Sequence, residues 1–292
     1  MIETRGLVKR YGSKTALDQI DLDVPEGTVY GLVGPNGAGK TTLLGLLAGL
    51  RKPTEGTIVV GADPAKVGVL PDTPKFDPWL TAREVVELAK SLTTSGGRSD
   101  RVDEVIEEAG LSRDANRQVG GFSRGMLQRL GVAATVVGGP ELLMLDEPSS
   151  ALDPMGRREV LDLVSRLRGR ATVLFSSHIL GDVQEVSDTV GILNEGRLLY
   201  QGPLGDLLVG HATPVYTLRV RTDPDPVAEA LRGEPWVTSV KVSPPDTLQV
   251  SVTDVERAEQ TFAGFLAGAG VPLISLAPEA VDLEQVFLEL TR

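Results

Sequence analysis

Residues 34–42 read GPNGAGKTT, three glycines and one lysine within nine positions. Gly34, Gly39, Lys40 and Thr41 satisfy the spacing G-x-x-x-x-G-K-[ST], with Pro35, Asn36, Gly37 and Ala38 inside it and Thr42 following. That spacing makes a phosphate-binding loop. The glycines let successive backbone N–H groups converge on phosphate oxygens, and the N-terminus of the next helix adds positive potential at the same place. Lys40 is expected to reach the β- and γ-phosphates of a nucleotide, and the Thr41 hydroxyl to hold Mg²⁺. Kinases, GTPases and ATP-driven motors all carry this loop, so the choice among them rests on its companions.

Four segments accompany it. LLMLDEP puts Asp146 at the end of a buried strand, where a carboxylate binds Mg²⁺ or its water, and puts Glu147 next to it, where a base orients the attacking water. An isolated Asp-Glu before proline is more often a solvated strand end. FSRGMLQRL places Ser123 and Gly125 at a helix start, suited to an anion or to simple N-capping. SSALD, ending at Asp153, follows Glu147 closely, and FSSHIL sets His178 at the end of the next strand, where a lone histidine is usually structural.

Taken together and in this order, the segments resemble the nucleotide-binding domain of the ABC transporter family over about residues 1–210. The resemblance implies an ATPase using ATP and Mg²⁺, with Glu147 and His178 catalytic, Thr41, Asp72 and Asp146 toward the metal, and the P-loop, Ser123, Gly125 and Asp153 toward the nucleotide. By the same resemblance Tyr11, in VKRYGSKTAL, stacks on adenine. Two positions depart from the family pattern. Asp72 stands where the family usually has the Q-loop glutamine, and Phe122-Ser123-Arg124-Gly125-Met126 replaces Leu-Ser-Gly-Gly-Gln.

Family membership further implies a head-to-tail homodimer around two ATPs, each held by the P-loop of one copy and the signature of the other. It also implies a separate permease, so that this subunit is cytoplasmic and peripheral on the inner face of the cell membrane. SRGMLQR and the tail DLEQVFLELTR resemble the ATPases of ABC-2-type exporters, which serve drug, antibiotic, lipid or polysaccharide efflux. Importer ATPases, the alternative, more often carry a β-barrel-like tail. A non-transport ABC ATPase would need a long insertion between Lys40 and Ser123, or a second cassette. A GTPase would need an Asn-Lys-x-Asp motif, which is missing. The run Asp72 to Leu80 contains Phe76, Trp79 and Leu80, placed where the family receives a short permease helix; the plainer alternative is packing under the helical subdomain.

The elements that must position these groups alternate. Ile20, Leu22 and Val24 suggest a half-buried strand, TVYGLVG a second one leading into the P-loop, and TTLLGLLAGL a helix after it. Thr81 and Glu84 fit a capping box opening a helix, and a mobile stretch, TTSGGRSD, separates it from VDEVIEEAG. A helix over 125–137, the strand LLML, a helix opened by Pro154 and the strands ATVLF and TVGIL complete an α/β, P-loop ABC ATPase domain, a mostly parallel sheet with a helical subdomain. Near 211–214 the pattern changes. Residues 211–292 read βαββαβ plus a last helix, a small ferredoxin-like α+β accessory domain, against 1–210 for the nucleotide-binding domain. The last helix offers Leu283, Val286, Phe287 and Leu290 as one apolar face, suited to its own sheet, a second subunit or the permease.

Composition narrows the partners. With 29 basic against 40 acidic side chains, a net charge of −11 has the wrong sign for binding nucleic-acid phosphate. There is no cysteine, which excludes disulfides and thiolate chemistry. The N-terminal MIETRGLVKRYG lacks the pattern of an export signal. Residues 260–278 carry no charge, but Gly264, Gly268, Gly270 and Pro272 divide them into helix, turn and strand.

Overall fold

The computed structural model describes residues 1–93, 101–150, 152–210, 215–278 and 282–291. The TTSGGRSD stretch, apart from Thr93, and the junction at 211–214 lie outside the described residues. The chain divides into two compact units: Met1–Gly205 with Phe287–Arg292, and Asp206–Val286.

The first unit opens with β1 (Ile2–Tyr11), β2 (Lys14–Ile20), β3 (Asp23–Val24) and β4 (Val29–Val33), and passes through α1 (Lys40–Leu47) to β5 (Glu55–Val60) and β6 (Val67–Leu70). Three helices follow, α2 (Ala82–Ser91), α3 (Arg101–Glu108) and α4 (Arg124–Val136). The chain then returns through β7 (Leu142–Asp146), α5 (Pro154–Leu167), β8 (Thr172–Ser177), α6 (Leu180–Val186), β9 (Thr189–Asn194) and β10 (Arg197–Pro203). β1 pairs antiparallel with β2, β3 and β5 in a small sheet. The central sheet runs β10-β9-β4-β8-β7-β6, parallel except for β10.

Every residue of β4 and of β7 is buried, as a strand covered on both faces by helices requires. Each large aliphatic side chain placed there contributes roughly 1.5–3 kcal/mol through removal from water. The single strand expected through Ile20, Leu22 and Val24 is broken after Ile20, although all three side chains are fully buried. Thr4 accounts for the break: its buried hydroxyl donates to Ile20 O at 2.9 Å and accepts from Leu22 N at 2.9 Å, bridging the interruption from the neighbouring strand. The capping box at α2 is present, with Thr81 N donating to Glu84 Oε2 at 2.7 Å and Glu84 N to Thr81 Oγ1 at 3.2 Å. α5 begins with Pro154 behind the Asp153 side chain, which accepts from Gly156 N at 3.0 Å.

From α7 (Leu204–Gly210), most of which falls in the second unit, the chain continues through β11 (Val215–Val220), α8 (Pro224–Arg232), β12 (Val237–Ser243), β13 (Thr247–Val252), α9 (Val255–Gly268) and β14 (Leu273–Pro278) to α10 (Leu283–Leu290), which from Phe287 on groups with the first unit. The strand order β12-β13-β11-β14, antiparallel throughout, is that of a ferredoxin-like sheet. Its core centres on Phe262, whose ring centroid lies 4.7 Å from Trp236 and 5.1 Å from Tyr216. The uncharged 260–278 segment is the end of α9, a turn at Gly270 and β14; no described helix is long and apolar enough to cross a membrane.

Candidate functional site

Parallel strands end at the same edge, and in open α/β sheets that edge carries the ligand. Here β4 runs directly into the P-loop, β7 ends at Asp146, β8 leads to His178, and β6 leads through Pro71 to Asp72. The register brings these ends level, pairing Val33 with Ser177 and Asp146 with Ser176. The loop itself needs glycine at two tight points. A Cβ on Gly34 would stand 2.1 Å from Leu193 O, and Gly39 has φ 113° with Ala16 O 2.8 Å from where its Cβ would be.

Over this edge lies an open cavity of about 790 Å³. Of the residues singled out in the sequence, Tyr11, Asn36, Gly37, Gly39, Lys40, Thr41 and Thr42 line it, as do Asp72, Glu147 and His178. Gly34, Pro35 and Ala38 belong to the same loop without lining the cavity; Gly34 and Ala38 are buried and Pro35 is exposed. Asp146 is buried just below, where Ser176 Oγ donates to its Oδ1 at 2.6 Å. Ser123, Gly125 and Asp153 do not line the cavity; Ser123 and Asp153 cap α4 and α5.

Glu147 is the hub of the polar contacts. It is 9% exposed, with Oε1 3.2 Å from Lys40 Nζ and Oε2 2.7 Å from His178 Nδ1. Lys40 Nζ also donates to Gly34 O at 2.7 Å and Pro35 O at 3.3 Å. Ser150 Oγ stands 3.5 Å from Asp72 Oδ1. Tyr11, also on the lining, is half exposed; Arg51 donates to its hydroxyl at 2.5 Å, and Lys9 Nζ sits over its ring, 4.9 Å from the centroid.

The structure adds residues that pattern reading passes over. Lys14, Ala16, Arg124, Glu195 and Gly196 also line the cavity. The Asn194-Glu195-Gly196 turn between β9 and β10 is a hairpin signal in the sequence, but nothing local says that it faces a ligand. Asp182, fully buried on α6, accepts from Ser149 Oγ and from Arg157, so one carboxylate joins the segment after Glu147, the start of α5 and the helix after His178. From the sequence alone Asp182 is indistinguishable from a solvent-facing helical carboxylate.

Comparison with known proteins agrees with this geometry. The family described as "ABC transporter" matches residues 17–150. The uncharacterized ABC transporter ATP-binding protein YxlF of Bacillus subtilis (strain 168) is 35% identical over 99% of this chain and 99% of its own length. The daunorubicin/doxorubicin resistance ATP-binding protein DrrA of Streptomyces peucetius is 35% identical over 99% of this chain and 92% of its own. Among solved structures, a dimeric ATP-binding cassette in a post-hydrolysis state with ADP and Pi superposes with a TM-score of 0.64 at 26% identity, covering 70% of this chain and 99% of that one. With its P-loop, its strand-end carboxylates and its histidine gathered on one edge, and with relatives matched along nearly its whole length, the chain belongs to the ATP-binding subunits of ABC transporters, a family of ATPases.

Proposed function

We propose that this subunit drives an exporter of the ABC-2 type: two copies close head to tail around two ATPs, and the closure moves a separate permease that carries the cargo. The observation that carries the catalytic part is Glu147, held between Lys40 and His178 on the wall of the P-loop cavity. A triphosphate bound along the loop amides gives Lys40 phosphate oxygens in exchange for Glu147. The Glu147 oxygen so released orients a water for attack, while His178 keeps the other oxygen in place. Proton acceptance by such a base is worth roughly 10²- to 10⁴-fold in rate. The nearby groups fit Mg²⁺ because they are hard oxygens: the Thr41 hydroxyl, the buried Asp146 carboxylate, whose Oδ1 accepts from Ser176, and Asp72 on the cavity wall. Bound there, the ion would neutralise charge on the phosphates.

Three lines favour export and a location on the inner face of the membrane. DrrA, a drug-resistance protein by name, is matched over nearly the full chain, including the accessory unit. That unit is a ferredoxin-like sheet and not a barrel. No described helix is long and apolar enough to cross a membrane, and this reading gives the crossing to a separate permease. The test is reconstitution with a co-purifying membrane protein in vesicles. ATP supplied on the side bearing this subunit should move cargo to the opposite side, and Lys40→Ala should abolish the movement. Cargo moving toward the ATP side identifies an importer instead.

A further inference from the structure

We propose that Asp182 is a positioning residue for hydrolysis: through Ser149 it fixes the loop carrying Glu147 against the segment carrying His178, an inference resting on the reading of Glu147 as the base. Asp182 lies in the first turn of α6 and is fully buried. Both of its oxygens are engaged. Ser149 Oγ donates to Oδ2 at 2.5 Å, and Arg157 Nε donates to Oδ1. Arg157 lies against the same turn, since a Cβ on Gly181 would stand 4.0 Å from its Nη2. Burying a carboxylate is costly and pairing roughly repays that cost, so an apolar residue of similar size would serve stability about as well. What the carboxylate supplies in addition is direction: donors from two other segments are held at one point.

That point sits beside the chemistry, because Ser149 follows Glu147 across Pro148 and Asp182 lies one helical turn beyond His178. On its sheet side the Glu147 N–H is held by the Ser176 carbonyl and hydroxyl. Beyond Glu147 the chain turns at once, with Ser150 N donating to Glu147 O at 3.2 Å and Leu152 N to Ser149 O at 3.2 Å, and Ser149 Oγ fixes this turn to α6. On the neighbouring strand end, Ile179 N donates to Ser177 Oγ at 3.0 Å and Asp182 N to Ile179 O at 3.2 Å, so His178 and Asp182 ride on one short segment. The Glu147–His178 contact is therefore bracketed by Ser176 on one side and by Ser149 and Asp182 on the other. Releasing the second bracket lets Glu147, which stands at φ 50°, shift from His178. A displacement of about 1 Å at a reacting group costs on the order of 10²-fold in rate. Lys40 keeps its own contacts to Gly34 O and Pro35 O, so nucleotide binding and hydrolysis should separate.

Ser149→Ala removes the hydroxyl and leaves the Asp182–Arg157 pair in place, whereas Ser149→Thr keeps a hydroxyl. Single-turnover hydrolysis at saturating ATP should slow about tenfold in Ser149→Ala, the worth of a hydrogen bond to a charged group, and recover in Ser149→Thr. ATP affinity by calorimetry should be unchanged in both. In the Glu147→Gln background Ser149→Ala should cost nothing further, since the contact it fixes no longer serves a base. The ring resonances of His178, one of two histidines in the chain, should move in nucleotide-free Ser149→Ala and return in Ser149→Thr. Asp182→Ala should slow hydrolysis at least as much if circular dichroism shows it folded, and Ser149→Ala carries the test if it does not fold. Wild-type turnover or unmoved His178 resonances in Ser149→Ala overturn the proposal. So does a fall in ATP affinity that matches the fall in rate, or a rate loss that persists in full in the Glu147→Gln background. Near-normal turnover in Glu147→Gln alone is a separate result: it rejects the reading of Glu147 as the base and takes the proposal with it.

Discussion

Glu147 Oε2 lies 2.7 Å from His178 Nδ1, and this pair spans the ends of two adjacent parallel strands. Glu147 is also one of three non-glycine residues with positive φ among the described residues, at 50°, a conformation costing roughly 1–3 kcal/mol that persists only where surroundings hold it. Its N–H, 3.2 Å from Ser176 O and 3.0 Å from Ser176 Oγ, supplies that hold, and Ser176 in turn binds Asp146. The same serine thus fixes the backbone of one site carboxylate and the side chain of the other.

Replacement of Glu147 by glutamine removes the charge while keeping the shape. ATP affinity should be retained, since Lys40 loses a competitor for phosphate, while single-turnover hydrolysis slows by roughly 10²- to 10⁴-fold. An ATP-bound dimer should accumulate in light scattering. Because Glu147 and His178 act through one contact, Glu147→Gln with His178→Ala should cost little more than the worse single change. Additive losses would show that the two act separately, and near-normal turnover in Glu147→Gln would move the base elsewhere.

Much of this site was legible because its signals are local. The P-loop, LLMLDEP and FSSHIL each pack a strand end and its functional residue into a few consecutive positions, so spacing alone places them on one sheet edge. β1 and β5 were not legible in the same way: their pairing, Ile2 with Val60 and Thr4 with Ile58, is set by partners far apart in sequence. Arg124 is masked for a different reason. Aligned with a signature, it reads as a substitution for glycine, and only the cavity shows where its side chain lies.

The helical segment offers a test of pH dependence. The Thr81 backbone N–H, then the Thr81 hydroxyl, hold the Glu84 carboxyl below its ordinary range. A lowered carboxyl pKa stabilises the fold above the unfolded pKa, and that contribution is lost as pH falls through the folded value. Wild type should therefore exceed Glu84→Gln in stability at neutral pH, and the gap in urea midpoint should close as pH drops through and below 4.5. A gap independent of pH would assign the difference to shape, not charge. Thr81→Ala, which removes the acceptor for Glu84 N, should cost about 1 kcal/mol at neutral pH.

Trp79 is 65% exposed, so it does not pack under α2–α4 as the plainer sequence reading allowed. A large exposed aromatic between Asp72 and α2 is suited to receiving a permease helix. Trp79→Ala should lower permease-stimulated ATPase and leave basal ATPase unchanged, with both read on the same reconstituted complex. Equal loss of both activities would reject a coupling role.

The accessory unit can be tested by shortening the chain. Every residue lining the nucleotide cavity lies between Tyr11 and Gly196, so a chain ending at Gly210 should bind ATP with unchanged affinity by calorimetry. Such a chain loses two things at once: the ferredoxin-like sheet, and Phe287–Arg292, which groups with the first unit. A second chain ending at Val286 separates them, since it keeps the sheet and its aromatic core but not the last turn of α10. With Glu147→Gln in both to hold the closed state, ATP-dependent dimerisation is read by light scattering. If dimerisation weakens only in the shorter chain, the sheet supports the dimer; if it weakens equally in both, the terminal residues do. Nucleotide binding lost from a folded chain ending at Gly210 would sink the division into a nucleotide-binding domain and an accessory domain. Unchanged dimerisation together with unchanged transport in both would remove the accessory unit from the motor altogether.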